Sequence, residues 1–326
     1  MARSSKDRGD GSRPAPWRRF AVPAIAACLV AVAGILIYRT LSNYDFDEVA
    51  RSVASVPAAN LALAGAFAAA SYFCLTWFDW LAVRYAGHRL PYRKVALASF
   101  TALSLGHNIG FAAMSSGAVR YRFYARWGLD SEAVAKVILF CGLTVGLGLA
   151  ALGGLALVVR PAVASEVIGL SPALSFAVGA ACLVAVAVYL ALAVMVRGSL
   201  SIGSWTMEMP RPGLALTQVA IGALNFACVA ASLHQAVAGL ADVAYLSVAT
   251  VYVVANVATL VSHVPGGLGV IEAVVTYLLP QAGMIGAVLL FRFVYFLVPL
   301  ALGGALFGVS ELAMRTRARE GNAAEA

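Results

Sequence analysis

The feature that most constrains this chain is a series of apolar runs, each long enough to cross a membrane. A helix needs roughly 20 apolar residues to span a hydrocarbon core of about 30 Å. Charged residues make up 12% of the 326 residues, about half the share that soluble domains carry. Seven runs predict membrane helices, over 20–38, 59–83, 132–158, 172–196, 214–239, 243–262 and 283–312. The fold class predicted is therefore all-α, a polytopic membrane helix bundle with about six to eight spans.

The basic residues predict which ends of these helices face the cytoplasm. They concentrate in 1–19, 84–94, 120–126 and after 312, and such clusters mark the cytoplasmic ends of spans. We therefore expect a bacterial cytoplasmic (inner) membrane protein with both termini in the cytoplasm. The net charge of +8 is then explained by the basic residues that orient the spans in the membrane. Nucleic acid is not expected as a partner.

Three parts follow from this pattern. Residues 1–19 form a disordered basic tail, 20–315 form the transmembrane domain, and 316–326 form a cytoplasmic tail. The mixed charges of 44–51 predict a short helix lying at the outer interface.

One predicted interruption of the helices lies within 95–114, which is only moderately apolar and has basic clusters on both sides. A full crossing would place one cluster outside, so the charges favour a re-entrant hairpin from the cytoplasmic face. The predicted backbone breaks are Gly106, Gly110 and Gly117, where exposed N–H groups suit an anion. The polar candidates beside them are His107, Asn108, Ser115 and Ser116.

Three arginines follow this interruption. Arg122 and Arg126 are four residues apart and share a helix face, and Arg120 precedes them. Guanidinium groups bind phosphate oxygens at two points, so a phospholipid headgroup fits the cluster. An ordinary interfacial anchor, formed with neighbouring aromatic residues, is the alternative.

The second predicted interruption is rich in proline and glycine. Pro265 lacks a backbone donor, and Gly266, Gly267 and Gly269 let the chain leave helical geometry. A broken helix is the prediction and a plain loop the alternative. If 264–280 is re-entrant there are about six full crossings, and if it crosses there are about eight.

Ionisable residues inside apolar runs are costly, at about 2.5 to 3.5 kcal/mol each, and need a partner or a purpose. We predict that Glu272 pairs with Arg292, and that Asp79 pairs with an arginine of the 120–126 cluster. If the two residues pair, a double mutant that exchanges Glu272 and Arg292 is expected to rescue the function that either single substitution removes. Purely structural pairs are the alternative interpretation.

Little in the sequence indicates enzymatic chemistry. His107 and His263 each precede a glycine by three residues, which suggests only a weak internal duplication. No nucleophile, base and orienting group occur together, and the scattered cysteines lack the spacing of metal ligands. Neither a metal nor another cofactor is expected.

The two interruptions carry a family resemblance. The stretches Asn108-Ile109-Gly110 to Arg122 and His263 to Glu272 resemble motifs of the lysylphosphatidylglycerol synthase/flippase family, the multiple peptide resistance factors, and their stand-alone relatives. The resemblance covers about 15–315. It implies a membrane domain that moves aminoacylated phospholipids between leaflets, whereas a separate C-terminal domain performs aminoacyl transfer from tRNA. Because the chain ends at Ala326, the synthase half is expected to be absent and the chain is not expected to be an enzyme.

These observations predict a lipid translocase whose partners are membrane phospholipids, including aminoacylated phosphatidylglycerol. The arginines would attract a phosphate, and Asp79 and Glu272 a cationic headgroup. A membrane subunit that docks a separate aminoacyl-lipid synthase or other envelope enzyme is the alternative. A third hypothesis, an intramembrane lipid-modifying enzyme, would use His107 or His263 as base. A homo-oligomer is left open.

Overall fold

Long helices account for nearly all of the chain that the computed structural model describes, namely residues 47, 51, 54–109, 112–162, 169–196, 198–202, 205–280 and 283–324. In chain order the elements are α1 (Ala58–Tyr85), α2 (Tyr92–Ile109), α3 (Ala112–Arg126), α4 (Ser131–Val159), α5 (Pro172–Met195), β1 (Ser199–Ile202), β2 (Trp205–Glu208), α6 (Pro212–Ala238), α7 (Tyr245–Ser262), α8 (Val270–Leu278), α9 (Met284–Arg292) and α10 (Val298–Ala324). A 3-10 turn, Pro265–Gly267, precedes α8, and a π-helical turn, Phe293–Leu297, joins α9 to α10.

Six helical stretches within these ranges are long and apolar enough to cross a membrane. They are α1, α4, α5, α6, α7 and the continuous stretch Met284–Ala313, and they coincide with six of the seven predicted runs. The predicted class, a helical membrane bundle, is confirmed. The seventh run, 20–38, lies outside the described residues. So does most of the predicted interfacial helix, although Asp47 is helical there and its carbonyl accepts from Arg51 Nε at 3.1 Å.

A short antiparallel hairpin, β1–β2, was not predicted. Ser199 pairs with Glu208, and Ile202 with Trp205. The Tyr85 hydroxyl donates to the Glu208 carbonyl at 2.5 Å, so the hairpin lies at the same end of the bundle as the end of α1.

Helices α2 and α3 form a helical hairpin. The Lys94 ammonium near the start of α2 lies 5.6 Å from the centre of the Trp127 ring, just past the end of α3. Both open ends of the hairpin therefore lie together, which is the shape predicted for a re-entrant element. Its position relative to the cytoplasm is still the prediction from charge.

The interruption between α2 and α3 is narrower than predicted. Gly106 and Gly117 lie inside helices and are not backbone breaks, whereas Gly110 lies outside the described residues. A Cβ on Gly106 would sit 2.7 Å from Ser116 Cβ. Gly106 therefore allows α2 and α3 to pack closely. The local sequence does not distinguish a glycine with this role from a glycine in a turn.

The helix within segment 264–280 is too short to cross a membrane by itself. This helix, α8, has nine residues and is therefore about 13 Å long at 1.5 Å per residue, less than half of a hydrocarbon core. α8 packs against α7, which precedes it, and against α9, which follows it. Of the two predicted alternatives, this length and packing favour the one in which the segment turns back.

Small residues let the spans approach closely. A Cβ on Gly148 of α4 would lie 2.5 Å from the carbonyl carbon of Gly222 on α6, and one on Gly154 would lie 2.9 Å from the Gly179 oxygen of α5. Such contacts replace the hydrophobic effect as a packing force where lipid is as apolar as the helices.

Candidate functional site

The two interruptions of the helices touch each other, although they are far apart in sequence. A Cβ on Gly266 would lie 3.7 Å from the carbonyl oxygen of His107 and 3.8 Å from Cα of Asn108. Gly266 and Gly267 are buried. We call this contact, between residues 107–108 and 265–267, the junction.

The backbone of the second interruption has a positive φ at four of the seven positions 263–269. His263 has φ 54°, Gly266 60°, Gly267 58° and Gly269 78°. Glycine adopts this region without the steric cost that a Cβ brings, and Pro265 cannot donate the hydrogen bond that a continuing helix would need. The predicted break is therefore present, and α7 ends at Ser262.

Arg292 and Glu272 hold this broken backbone together. Arg292 is 3% exposed, its Nε donates to Glu272 Oε1, and its Nη2 lies 2.7 Å from Oε2. The same guanidinium donates to the carbonyls of Gly266 at 2.8 Å and Gly267 at 2.6 Å. The predicted pair is confirmed as a contact, and it caps the turn at the junction.

The expectation that exchanging Glu272 and Arg292 restores function is not supported by this geometry. Glu272 accepts from the Gly269 N–H at 2.9 Å, while Arg292 donates to carbonyls. An exchanged pair would place a carboxylate against carbonyl oxygens and a guanidinium against an N–H. Each partner is therefore matched to its own backbone groups.

A second ion pair lies fully inside the bundle. Arg120 Nε and Nη2 donate to the two Asp79 carboxylate oxygens at 2.7 and 2.8 Å, and the hydroxyls of Tyr124 and Ser99 donate to the same carboxylate at 2.8 and 2.7 Å. Arg120 Nη1 also donates to Ser116 Oγ at 2.9 Å. Asp79 is 0% and Arg120 4% exposed, so the pair predicted for Asp79 exists and joins α1, α2 and α3.

The other two predicted arginines converge on a residue that sequence reasoning missed. Arg122 Nε and Nη2 donate to the Glu311 carboxylate at 2.6 and 2.5 Å, and Arg126 Nη1 lies 3.3 Å from Glu311 Oε1. Glu311 lies near the end of the predicted apolar run 283–312. A carboxylate at that position was the sequence signal that could have identified it.

A polar cluster deep in the bundle was also missed. Ser71 Oγ donates to Asn225 Oδ1 at 2.7 Å and lies 2.9 Å from the Tyr295 hydroxyl. All three residues are buried. A lone asparagine in the apolar run 214–239 was the available signal. Tyr295 belongs to the π-helical turn, a distortion that frequently occurs at functional positions.

Asn108 links the first interruption to the same π-helical turn. Its amide nitrogen donates to the Ser104 carbonyl at 2.9 Å and to the Phe296 carbonyl at 3.4 Å. The His107 ring lies 6.3 Å from the Tyr72 ring, centre to centre.

Two further predicted residues make local contacts. Ser115 Oγ donates to the Gly106 carbonyl at 3.3 Å. His263 is exposed, and its Nδ1 lies 2.9 Å from the Val261 carbonyl oxygen.

The comparisons with known proteins agree with this architecture. The family described as the lysylphosphatidylglycerol synthase TM region matches residues 24–303. This chain belongs to that family. The matched region includes both interruptions, the Asp79–Arg120 pair and the Glu272–Arg292 pair. Glu311 lies beyond it.

Two relatives share most of the chain. An uncharacterized protein, slr0712, of Synechocystis is 29% identical over 306 residues, which is 93% of this chain and 95% of that protein. The inner membrane protein YbhN of Escherichia coli is 26% identical over 275 residues, 82% of this chain and 85% of that protein. The chain is therefore a multi-pass membrane protein of this family, and the matched region is the family's transmembrane part.

Proposed function

We propose that this protein is a lipid translocase of the cytoplasmic membrane, which moves phospholipid headgroups between leaflets. Its cargo class is phosphatidylglycerol, with or without an aminoacyl group, and its termini face the cytoplasm. The observation that carries the proposal is the junction, where two broken helices meet inside a bundle of membrane spans.

Irregular backbone is tolerated at membrane depth only where protein covers it or water reaches it. Broken helices that meet within the bundle are typical of secondary transporters, whose substrates contact the exposed backbone groups there. Here the Arg292 guanidinium and the Asn108 amide occupy several of these carbonyls. Movement of the α2–α3 hairpin or of segment 264–280 would release polar groups to a passing headgroup.

The buried pairs have distinct roles in this proposal. The Asp79 carboxylate accepts four hydrogen bonds, and Arg120 also donates to Ser116. These contacts hold the α2–α3 hairpin against α1. Asp79 and Arg120 therefore position the hairpin and do not bind cargo. Glu272 is 21% exposed and lies at the turn. It is therefore the carboxylate that is placed to meet a cationic aminoacyl headgroup.

The test is a leaflet-resolved assay in proteoliposomes that contain fluorescent phosphatidylglycerol or its lysylated form. Wild-type protein is expected to expose inner-leaflet label to an external quencher faster than protein-free liposomes do. Equal rates with and without protein, for both lipids, would refute the proposal.

A matched pair of glycine variants then tests the junction. Gly266→Leu places a side chain against His107 and Asn108, whereas Gly87→Leu meets nothing within 4 Å. Both glycines have positive φ, 60° and 83°, so the backbone strain is shared. We expect Gly266→Leu to slow transport at least tenfold more than Gly87→Leu. Equal slowing would remove the junction from the mechanism.

A further inference from the structure

Among the described residues, three arginine–carboxylate clusters differ in how many arginines meet one carboxylate. Asp79 and Arg120 form a one-to-one pair that is almost fully buried. Glu272 and Arg292 also pair one to one, and the remaining donors of Arg292 are directed to backbone carbonyls. In the third cluster, two guanidinium groups converge on the single carboxylate of Glu311.

The geometry of this third cluster resembles anion recognition by arginine. Arg122 makes a two-point contact with Glu311, and Arg126 approaches one of the same oxygens at the longer distance of 3.3 Å. Two-point contacts of this kind bind carboxylate and phosphate alike. The Arg126 side chain is 37% exposed, whereas those of Arg122 and Glu311 are 13% and 11% exposed. Solvent or lipid therefore reaches the cluster from the Arg126 side.

The depth of the cluster suits a lipid headgroup. Glu311 lies two residues before the end of the last candidate span, Met284–Ala313. Tyr121, next to Arg122 in sequence, is 48% exposed, and Lys94 lies over the Trp127 ring. Aromatic and basic side chains gather where spans meet the headgroup layer.

We propose that Arg122 and Arg126 form a binding site for a phosphate group, which an anionic phospholipid supplies from the adjoining leaflet. Glu311 occupies this site as an internal competitor, and the incoming phosphate displaces its carboxylate. The displacement releases the ion pairs between α3 and α10 at this end, because Arg122 and Arg126 lie on α3 and Glu311 lies on α10. The proposal extends the translocase function, but its test measures binding and does not depend on transport.

The decisive variant is Glu311→Gln, which keeps the side-chain shape and removes the competing charge. Dissociation constants for phosphatidylglycerol are measured by native mass spectrometry of protein released from nanodiscs, with phosphatidylcholine as the zwitterionic comparison. Removing a competitor worth about 1 kcal/mol corresponds to about fivefold tighter binding. Glu132→Gln is the matched control, since it removes a carboxylate whose pair with Lys136 is exposed.

Arg122→Gln/Glu311→Gln removes the carboxylate together with the arginine that makes the two-point contact, and it should abolish the gain. Arg122→Lys retains the charge but not the two-point contact, and should weaken binding in a protein that still folds. No gain in Glu311→Gln, an equal gain for phosphatidylcholine, or a gain that persists without Arg122 would each overturn the proposal.

Competition by sodium phosphate, against sodium chloride at matched ionic strength, identifies the source of the phosphate group. Displacement of phosphatidylglycerol by phosphate alone assigns the site to free phosphate, and retention of the lipid assigns it to the lipid headgroup. Normal binding behaviour in a protein that does not transport would refute the translocase proposal alone. Transport without the expected binding changes would refute the phosphate site alone.

Discussion

Asp79→Asn tests the central ion pair by changing one functional group at nearly constant volume. Each carboxylate oxygen of Asp79 accepts one Arg120 N–H and one hydroxyl hydrogen, from Tyr124 or Ser99. Either orientation of the asparagine amide would therefore direct an NH₂ group at a guanidinium donor. Arg120, 4% exposed, would also keep a positive charge without a counterion.

The expected loss follows from these contacts. Breaking a buried pair by removing one partner costs about 3 to 5 kcal/mol. Two charge-assisted hydrogen bonds at about 1.5 to 3 kcal/mol each give about 3 to 6 kcal/mol, which overlaps that range. Asp79→Leu/Arg120→Met removes both charges together. It should therefore lose less than the sum of the two single variants, which is the signature of a coupled pair.

The measurement is the free energy of unfolding in mixed micelles titrated with sodium dodecyl sulfate, followed by tryptophan fluorescence. Glu132→Gln is the control, since its exposed pair with Lys136 should contribute no more than about 1 kcal/mol. A loss below about 1 kcal/mol for Asp79→Asn would refute the conclusion that this pair holds the α2–α3 hairpin in place.

Two further predictions use the same titration. The exchange variant Glu272→Arg/Arg292→Glu should be no more stable than the weaker single variant, because each side chain contacts backbone groups of matching polarity; recovery of wild-type stability would show that those contacts are unimportant. Gly148→Val should lose about 1 to 3 kcal/mol from overpacking against Gly222, whereas Gly146→Val, in open space on the same helix, should lose much less. Similar losses would contradict the close approach of α4 and α6.

The six described spans and the second break were predictable because their signals are local. A run of apolar residues specifies a span through its own length, and Pro265 with three nearby glycines specifies a break through backbone sterics alone. The re-entrant shape of the first hairpin was also predictable, from the basic clusters on both of its sides. Gly106 was predicted wrongly as a break, because a glycine that packs against Ser116 looks the same in sequence as one in a turn.

The ion pairs show where the sequence signal ends. Asp79, Glu272 and Arg292 stood out because a charge in an apolar run needs a partner. The partner of Arg292 was predicted correctly, and that of Asp79 was predicted as one of the arginines of 120–126. Glu311 did not stand out, because a charge near the end of a span is common and cheap. Its convergence with Arg122 and Arg126 depends on how α10 lies against α3.

The sequence by itself thus determined a helical membrane protein with two interruptions, since hydropathy and backbone chemistry act within a few residues. Only the tertiary structure decided that Gly266 meets His107 and Asn108, and that two arginines share Glu311. The physical reason is that lipid and helix interior are equally apolar, so hydropathy does not mark which face of a span is buried. Packing of small residues and pairing of buried polar groups choose that face, and both depend on contacts between distant parts of the chain.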